Sequence, residues 1–130
     1  MKVIDWIKKE KFDIITGVPC SELKETLKQI KYIPAVREDD AIGIAVGAYF
    51  NGKKPLVFLQ NSGLGTSINA ILSLLKPYNI NIKLLITDHN TAEHHFYTAK
   101  TVEPLLDVCE YKDYVIAKNE EIIYEPKRHN

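Results

Sequence analysis

The chain has 130 residues, and its 17 Lys plus Arg balance 17 Asp plus Glu to a formal charge of zero. That length predicts one domain with room for a real core, and the neutral balance gives no electrostatic footprint for nucleic acid or an anionic membrane. The uncharged small-residue run 41–50 is too short to span a bilayer, and the N-terminal residues lack the apolar core of a secretion signal. Cys20 and Cys109 stand far apart with no CxxC spacing, so they read as reduced thiols of a cytoplasmic protein, not as a disulfide frame or zinc site.

In chain order, Val3, Ile4, Trp6 and Ile7 mark an amphipathic first helix. Residues 12–16 form a short β-rich run stopped by Gly17-Val18-Pro19. Ser21 is a suitable N-cap for a helix with Leu23, Leu27 and Ile30 on one face. Residues 32–36 read as a strand. Residues 38–50 read as a helix closed by Asn51-Gly52. Residues 55–59 form a continuous apolar strand. Residues 64–75 then form a helix with Ile68, Ile71, Leu72 and Leu75 inward. Residues 82–87 make another buried strand. His94 and His95 fall in a long loop, followed by a short helix over 101–109 and a strand over 114–117. The tail has material for one more strand before it frays from about residue 125.

This alternation predicts an α/β domain with a doubly wound, mainly parallel sheet and helices on both faces. In such sheets ligands bind outside the carboxyl ends of the strands. Those ends carry Gly17-Val18-Pro19-Cys20, Arg37-Glu38-Asp39-Asp40, the run from Gln60 to Gly65, and Asp88-His89-Asn90. Each stretch also has a plain reading. Acids at 38–40 suit a helix dipole. Ser62-Gly63-Leu64-Gly65 has the look of an anion nest but is neither a P-loop nor a GxGxxG fingerprint. Gly43 and Gly47 in GxxxG spacing imply close helix packing. Adjacent histidines cannot share one metal from a helix, so no metal site is expected in this chain.

Four stretches together are more specific: GVPCSELK at 17–24, REDDAIGIAVGAYFNGKKP at 37–55, QNSGLGTSINAILSL at 60–74 and EHHFYTAKTVEPLLD at 93–107. On these stretches the chain resembles the pyrimidine-binding (PYR) domain of thiamine-diphosphate enzymes, which implies a single PYR-like domain over 1–130. Within that family it is most similar to the α subunits of sulfopyruvate decarboxylases and the N-terminal half of phosphonopyruvate decarboxylases. The resemblance implies that Glu38 hydrogen-bonds N1′ of the cofactor's aminopyrimidine and, partly buried, promotes ionisation of the thiazolium C2. It places Gln60, Asn61, Ser62, Gly63, Gly65 and Asn69 on the cofactor side, with the last three shaping the turn and subunit contact. Pro19, Cys20, His94, His95 and Lys100 fall on the substrate side, and His95 joins Glu38 as a catalytic candidate.

The Gly-Asp-Gly segment that holds the diphosphate and its Mg2+ in this family does not occur. The resemblance therefore implies a diphosphate-binding β partner subunit, cofactor between the two chains, and self-association of PYR domains. The implied activity is decarboxylation of a 2-keto acid, sulfopyruvate first. The alternatives are phosphonopyruvate, another split thiamine-diphosphate lyase, or a non-catalytic assembly or regulatory subunit. Asp88-His89 stands where relatives carry Arg-Gly, and Lys100 where they carry arginine. Both departures bear on the substrate, because lysine lacks arginine's bidentate fork for a sulfonate or phosphonate.

Overall fold

In the computed structural model, which describes residues 1–90 and 93–127, one six-stranded sheet organises the chain. Helix α1 (Val3–Glu10) precedes β1 (Ile14–Gly17); a 3-10 turn (Ser21–Leu23) and α2 (Lys24–Leu27) lead to β2 (Ile33–Pro34). Helix α3 (Glu38–Phe50), β3 (Pro55–Gln60), a 3-10 turn (Asn61–Gly63) and α4 (Leu64–Ala70) follow, and α4 continues as a π-helical turn over Ile71–Leu75. Strand β4 (Lys83–Thr87), α5 (Glu93–Val108), β5 (Tyr114–Lys118) and β6 (Glu121–Tyr124) complete the order.

The strands lie in the order β2-β1-β3-β4-β5-β6, parallel except for β6, which pairs antiparallel with β5. Stepping from β1 to β2 and stepping from β2 onward to β5 are movements in opposite directions. With one hand of crossover they put helices on opposite faces. One core accordingly joins Ala41, Ile42 and Ala45 of α3, Ile71 and Leu75 after α4, and Val102 and Leu106 of α5 to Val57, Leu59, Leu84 and Ile86. The other joins Val3, Trp6 and Ile7 of α1 and Leu23 to the alternate strand residues Leu56, Phe58 and Leu85.

Several elements differ from the sequence expectation. The 32–36 strand pairs only at Ile33–Pro34, both exposed, because it is the sheet edge and Pro34 has no N–H to offer a further neighbour. Ser21 does not cap a helix: Cys20 precedes the 3-10 turn without a side-chain cap bond. The α2 N-terminus is instead held from afar. The Glu120 carboxylate accepts the Thr26 N–H and hydroxyl at 2.6 Å each, and the Glu25 N–H at 3.3 Å. Leu72, expected inward, is 46% exposed, about a quarter turn off the stripe of Leu64, Ile71 and Leu75. The largest difference is α5, which begins eight residues before the expected helix and takes His94 and His95 out of the loop. Residues 38–50 form the expected helix. Its end is closed at Asn51-Gly52, where Gly52 takes φ 75° and donates to the Tyr49 carbonyl at 3.0 Å.

Candidate active site

The winding reverses between β1 and β3, and a doubly wound sheet opens its ligand crevice at that point, outside the carboxyl ends. Gly17 ends β1 against β3 so closely that a Cβ would meet the Phe58 ring at 2.6 Å, so only glycine fits. The chain then turns through exposed Pro19 to buried Cys20. Burial pushes the Cys20 thiol up from its ordinary value, against the opposing hydrogen bonds of the Leu23 and Glu22 backbone and the Thr87 side chain. A neutral thiol thus forms one wall of an open cleft of about 380 Å³ whose rim includes Pro19, Lys24, Lys28 and Tyr32.

Glu38 opens α3 beyond the end of β2 and is half-buried. Its neighbour Asp39 turns outward to Arg37, with Nε–Oδ1 at 3.1 Å in an exposed pair, and Asp40 is exposed. The Glu38 side chain instead crosses to the turn after β3. A Cβ built on Gly63 would lie 2.5 Å from both Cγ and Oε1 of Glu38 and 2.6 Å from Cδ. The carboxylate therefore rests on bare backbone. One and two turns further along the same face of α3, Ala41, Ile42 and Ala45 are fully buried.

The turn from β3 also organises a second cluster. Asn61 is 2% exposed. Its carbonyl accepts the His89 N–H at 2.8 Å, and its amide donates to the His95 carbonyl at 3.2 Å and to the Thr98 hydroxyl at 2.9 Å. Gln60 Oε1 lies 3.2 Å from His89 Nδ1, and Glu22 Oε1 lies 3.6 Å from His89 Nε2. The His89 ring stacks on the His95 ring, with centroids 3.9 Å apart and planes 27° from parallel. His95 is 6% exposed on the buried side of α5.

Of the residues expected at the site, the structure brings Glu38 to Gly63, and Gln60 and Asn61 to the His89–His95 pair. The Asn61 amide is committed to joining segments of this chain. Ser62, Gly65 and Asn69 face outward; an added Cβ at Gly65 meets nothing within 4 Å, and Asn69 Oδ1 accepts the Ser73 hydroxyl at 3.0 Å. His94 lies in α5, with its side chain outside the described residues. Lys100 stands apart, exposed, its Nζ 4.1 Å above the Phe96 ring. It borders a separate cleft of about 200 Å³ with Asp88, Glu103 and Tyr124. Glu22, His89 and Thr98 were not among the expected site residues. His89 stood at a strand's carboxyl end, and Glu22 and Thr98 fell inside the stretches 17–24 and 93–107, but nothing in the sequence joined the three. Among the described residues no cluster of three or more His, Cys, Asp or Glu is arranged to hold a metal ion. No described helix is long and apolar enough to cross a membrane.

An open, doubly wound sheet with a half-buried acid and a polar turn converging at its switch point is an α/β domain with a candidate ligand crevice at that point. No protein-family model matches the chain. Among curated proteins it is 40% identical to the sulfopyruvate decarboxylase subunit alpha of Methanocaldococcus jannaschii over 124 residues, covering 88% of this chain and 73% of that protein. It is 48% identical to the subunit alpha of Methanococcus maripaludis over 81 residues, 58% of this chain and 48% of that protein. A phosphonopyruvate decarboxylase of Streptomyces viridochromogenes is 31% identical over 108 residues, 74% of this chain but only 27% of that protein. The chain belongs to the family of sulfopyruvate decarboxylase α subunits.

Proposed function

We propose that this chain is the pyrimidine-binding α subunit of a two-chain, thiamine-diphosphate-dependent sulfopyruvate decarboxylase, acting in the cytoplasm as a single PYR domain. The names of its relatives support the substrate and the subunit role. The observation that carries the site is the Glu38 carboxylate seated on Gly63 at the crevice. An aminopyrimidine needs a carboxyl group that can share a proton with a ring nitrogen in a dry setting. A half-buried acid on the same helix face as buried Ala41, Ile42 and Ala45, with no Cβ crowding it from residue 63, fits that need.

When bound, thiamine diphosphate supplies the sink for the electrons released as carbon dioxide leaves a 2-keto acid. The contributions of this chain are local. Glu38 holds a proton at the pyrimidine N1′. Gly63 fixes where that carboxyl group stands, and Gln60 and Asn61 set the floor beside it. Cys20, neutral and beside Pro19, walls the substrate side, where His95 orients or protonates the substrate, whereas Lys100 borders a separate cleft and has no part in this arrangement. Ser62, Gly65 and Asn69, exposed in the single chain, meet the neighbouring subunits. The diphosphate and its Mg2+ belong to a β subunit, so the cofactor lies between two chains, a common place for a ligand.

Phosphonopyruvate is the second reading, favoured by the Streptomyces relative. Co-purification with a companion chain bearing Gly-Asp-Gly, followed by carbon dioxide release from each substrate, is the test. Activity on sulfopyruvate that needs both chains, thiamine diphosphate and Mg2+ is the expected result. Activity on phosphonopyruvate alone would move the assignment, and tight, Mg2+-dependent cofactor binding by the isolated chain would overturn the split site.

A further inference from the structure

We propose that Lys24 binds the second anionic group of the substrate, the sulfonate of sulfopyruvate, and so sets the preference for 2-keto acids that carry one. The inference rests on the proposed function, in which Cys20 walls the substrate side.

A sulfonate stays ionised at any physiological pH, and an anion leaves water readily only for a cation or hydrogen-bond donors. Lys100, the residue expected to meet it, borders a different cleft with its Nζ 4.1 Å above the Phe96 ring. The cleft walled by Cys20 has two cations of its own, Lys24 and Lys28. Lys28 Nζ lies 3.3 Å from Glu25 Oε1, so an acid already answers its charge. Among the described residues no carboxylate pairs with Lys24. Lys24 is thus the uncompensated cation of the Cys20 cleft.

The two faces of α2 explain how this lysine is presented. Lys24, Leu27 and Lys28, at helical spacing, line the Cys20 cleft, while Glu25, Thr26 and Gln29 line another cleft on the far side, together with Glu120. The far face is clamped. The Glu120 carboxylate accepts the Thr26 N–H and hydroxyl at 2.6 Å each and the Glu25 N–H at 3.3 Å. Glu120 is itself fixed in the turn between β5 and β6, where its carbonyl accepts the Val3 N–H at 2.9 Å. The backbone immediately after Lys24 is therefore anchored to the sheet. Its side chain is exposed and keeps its freedom. A flexible ammonium with three donors on a fixed base suits a sulfonate, whose three oxygens are equivalent and need no planar fork.

The chemistry favours a cation at this end of the substrate. The carboxylate departs as neutral carbon dioxide, and a cation holding it would oppose that departure. The sulfonate keeps its charge from substrate to product. A contact to it is equally strong in the ground state and the transition state, so it acts on KM and leaves kcat nearly unchanged.

The test uses the two-chain complex with thiamine diphosphate and Mg2+, and compares wild type, Lys24→Gln and Lys24→Arg on sulfopyruvate and on pyruvate, which lacks the sulfonate. In Lys24→Gln the KM for sulfopyruvate should rise about 10-fold or more, as expected for a lost hydrogen bond to a charged group, with kcat within about 3-fold of wild type. Turnover of pyruvate should not change, and Lys24→Arg should recover most of the loss because it keeps the charge. An unchanged KM for sulfopyruvate, or an equal loss on both substrates, would overturn the proposal. A wild-type complex with no decarboxylase activity would sink the proposed function instead. Calorimetric binding of sulfopyruvate to the same complexes then decides: weaker binding by Lys24→Gln than by wild type upholds the site, and equal binding or none overturns it.

Discussion

The carboxyl group of Glu38 occupies the space where residue 63 would carry its Cβ, at 2.5 Å from the ideal position to Oε1. The start of α3 and the turn after β3 are thus fitted to each other by a missing atom. Gly63→Ala must push the Glu38 side chain away or shift the turn. Overpacking of this kind costs about 1–3 kcal/mol. Gly65→Ala is the control, since its Cβ meets nothing within 4 Å in this chain. Replacing a helical glycine by alanine there should raise stability by roughly 0.5–1 kcal/mol. Urea unfolding of the isolated chain reads both, and equal effects would mean that the Glu38–Gly63 fit is not energetically real.

The outward face of α3 concerns assembly. Gly43 and Gly47 are exposed, with no heavy atom within 4 Å of an added Cβ, and Phe50 at the end of the helix is 69% exposed. A helix this apolar with an open small-residue face suits close approach by a second copy. Gly47→Leu should leave the chain folded while abolishing self-association. Sedimentation at micromolar concentration is the measurement. A wild-type monomer, or a Gly47→Leu variant that associates as well as the wild type, would count against it.

A third prediction concerns the buried end of the fold beside β4. Tyr111 lies 4% exposed; its hydroxyl accepts the Ile82 N–H at 3.0 Å and donates to the Ile82 carbonyl. Tyr111→Phe leaves those two groups without that partner, which costs about 1–3 kcal/mol at neutral pH. Burial, reinforced by Asp113, pushes the Tyr111 hydroxyl well above its ordinary value, with the Ile82 backbone bond opposing. The folded chain therefore holds this proton after the unfolded chain has lost it. The stabilisation is complete below about pH 10, the unfolded tyrosine value, and declines as pH rises beyond it. The wild-type advantage over Tyr111→Phe should shrink between neutral pH and pH values above about 10. An advantage that stays constant would contradict this linkage.

What the sequence made legible followed from strong local signals. Helix α3 was readable at both ends, with acids in its first turn and Asn51-Gly52 after its last. Strand β3 was readable from its unbroken apolar run after Pro55. The start of α5 was not, because two histidines and two aromatics are indifferent helix formers. The helix is held by tertiary contacts, with His95, Val102, Leu106 and Cys109 buried at helical spacing. That stripe was present in the sequence and was the available signal. The partial burial of Glu38 was expected, but its seat on Gly63 was not. The contacts of Glu22 and Gln60 with His89 join residues far apart in the chain, and no local pattern encodes them. The exposed state of Gly43, Gly47, Gly65 and Asn69 fits an assembly surface better than a packed interior.

The most direct measurement is hydrogen–deuterium exchange at C2 of thiamine diphosphate bound to the two-chain complex, compared between wild type, Glu38→Gln and Asp40→Asn. Glu38→Gln keeps the size and a hydrogen-bonding carbonyl but removes the transferable proton, so exchange should slow by at least about 10²-fold. Asp40 is an exposed first-turn acid of α3. Its loss should cost only a few tenths of a kcal/mol in stability, roughly, and leave exchange near the wild-type rate. Equal exchange in all three proteins would reduce Glu38 to another first-turn acid and contradict the proton-sharing role at the centre of this account.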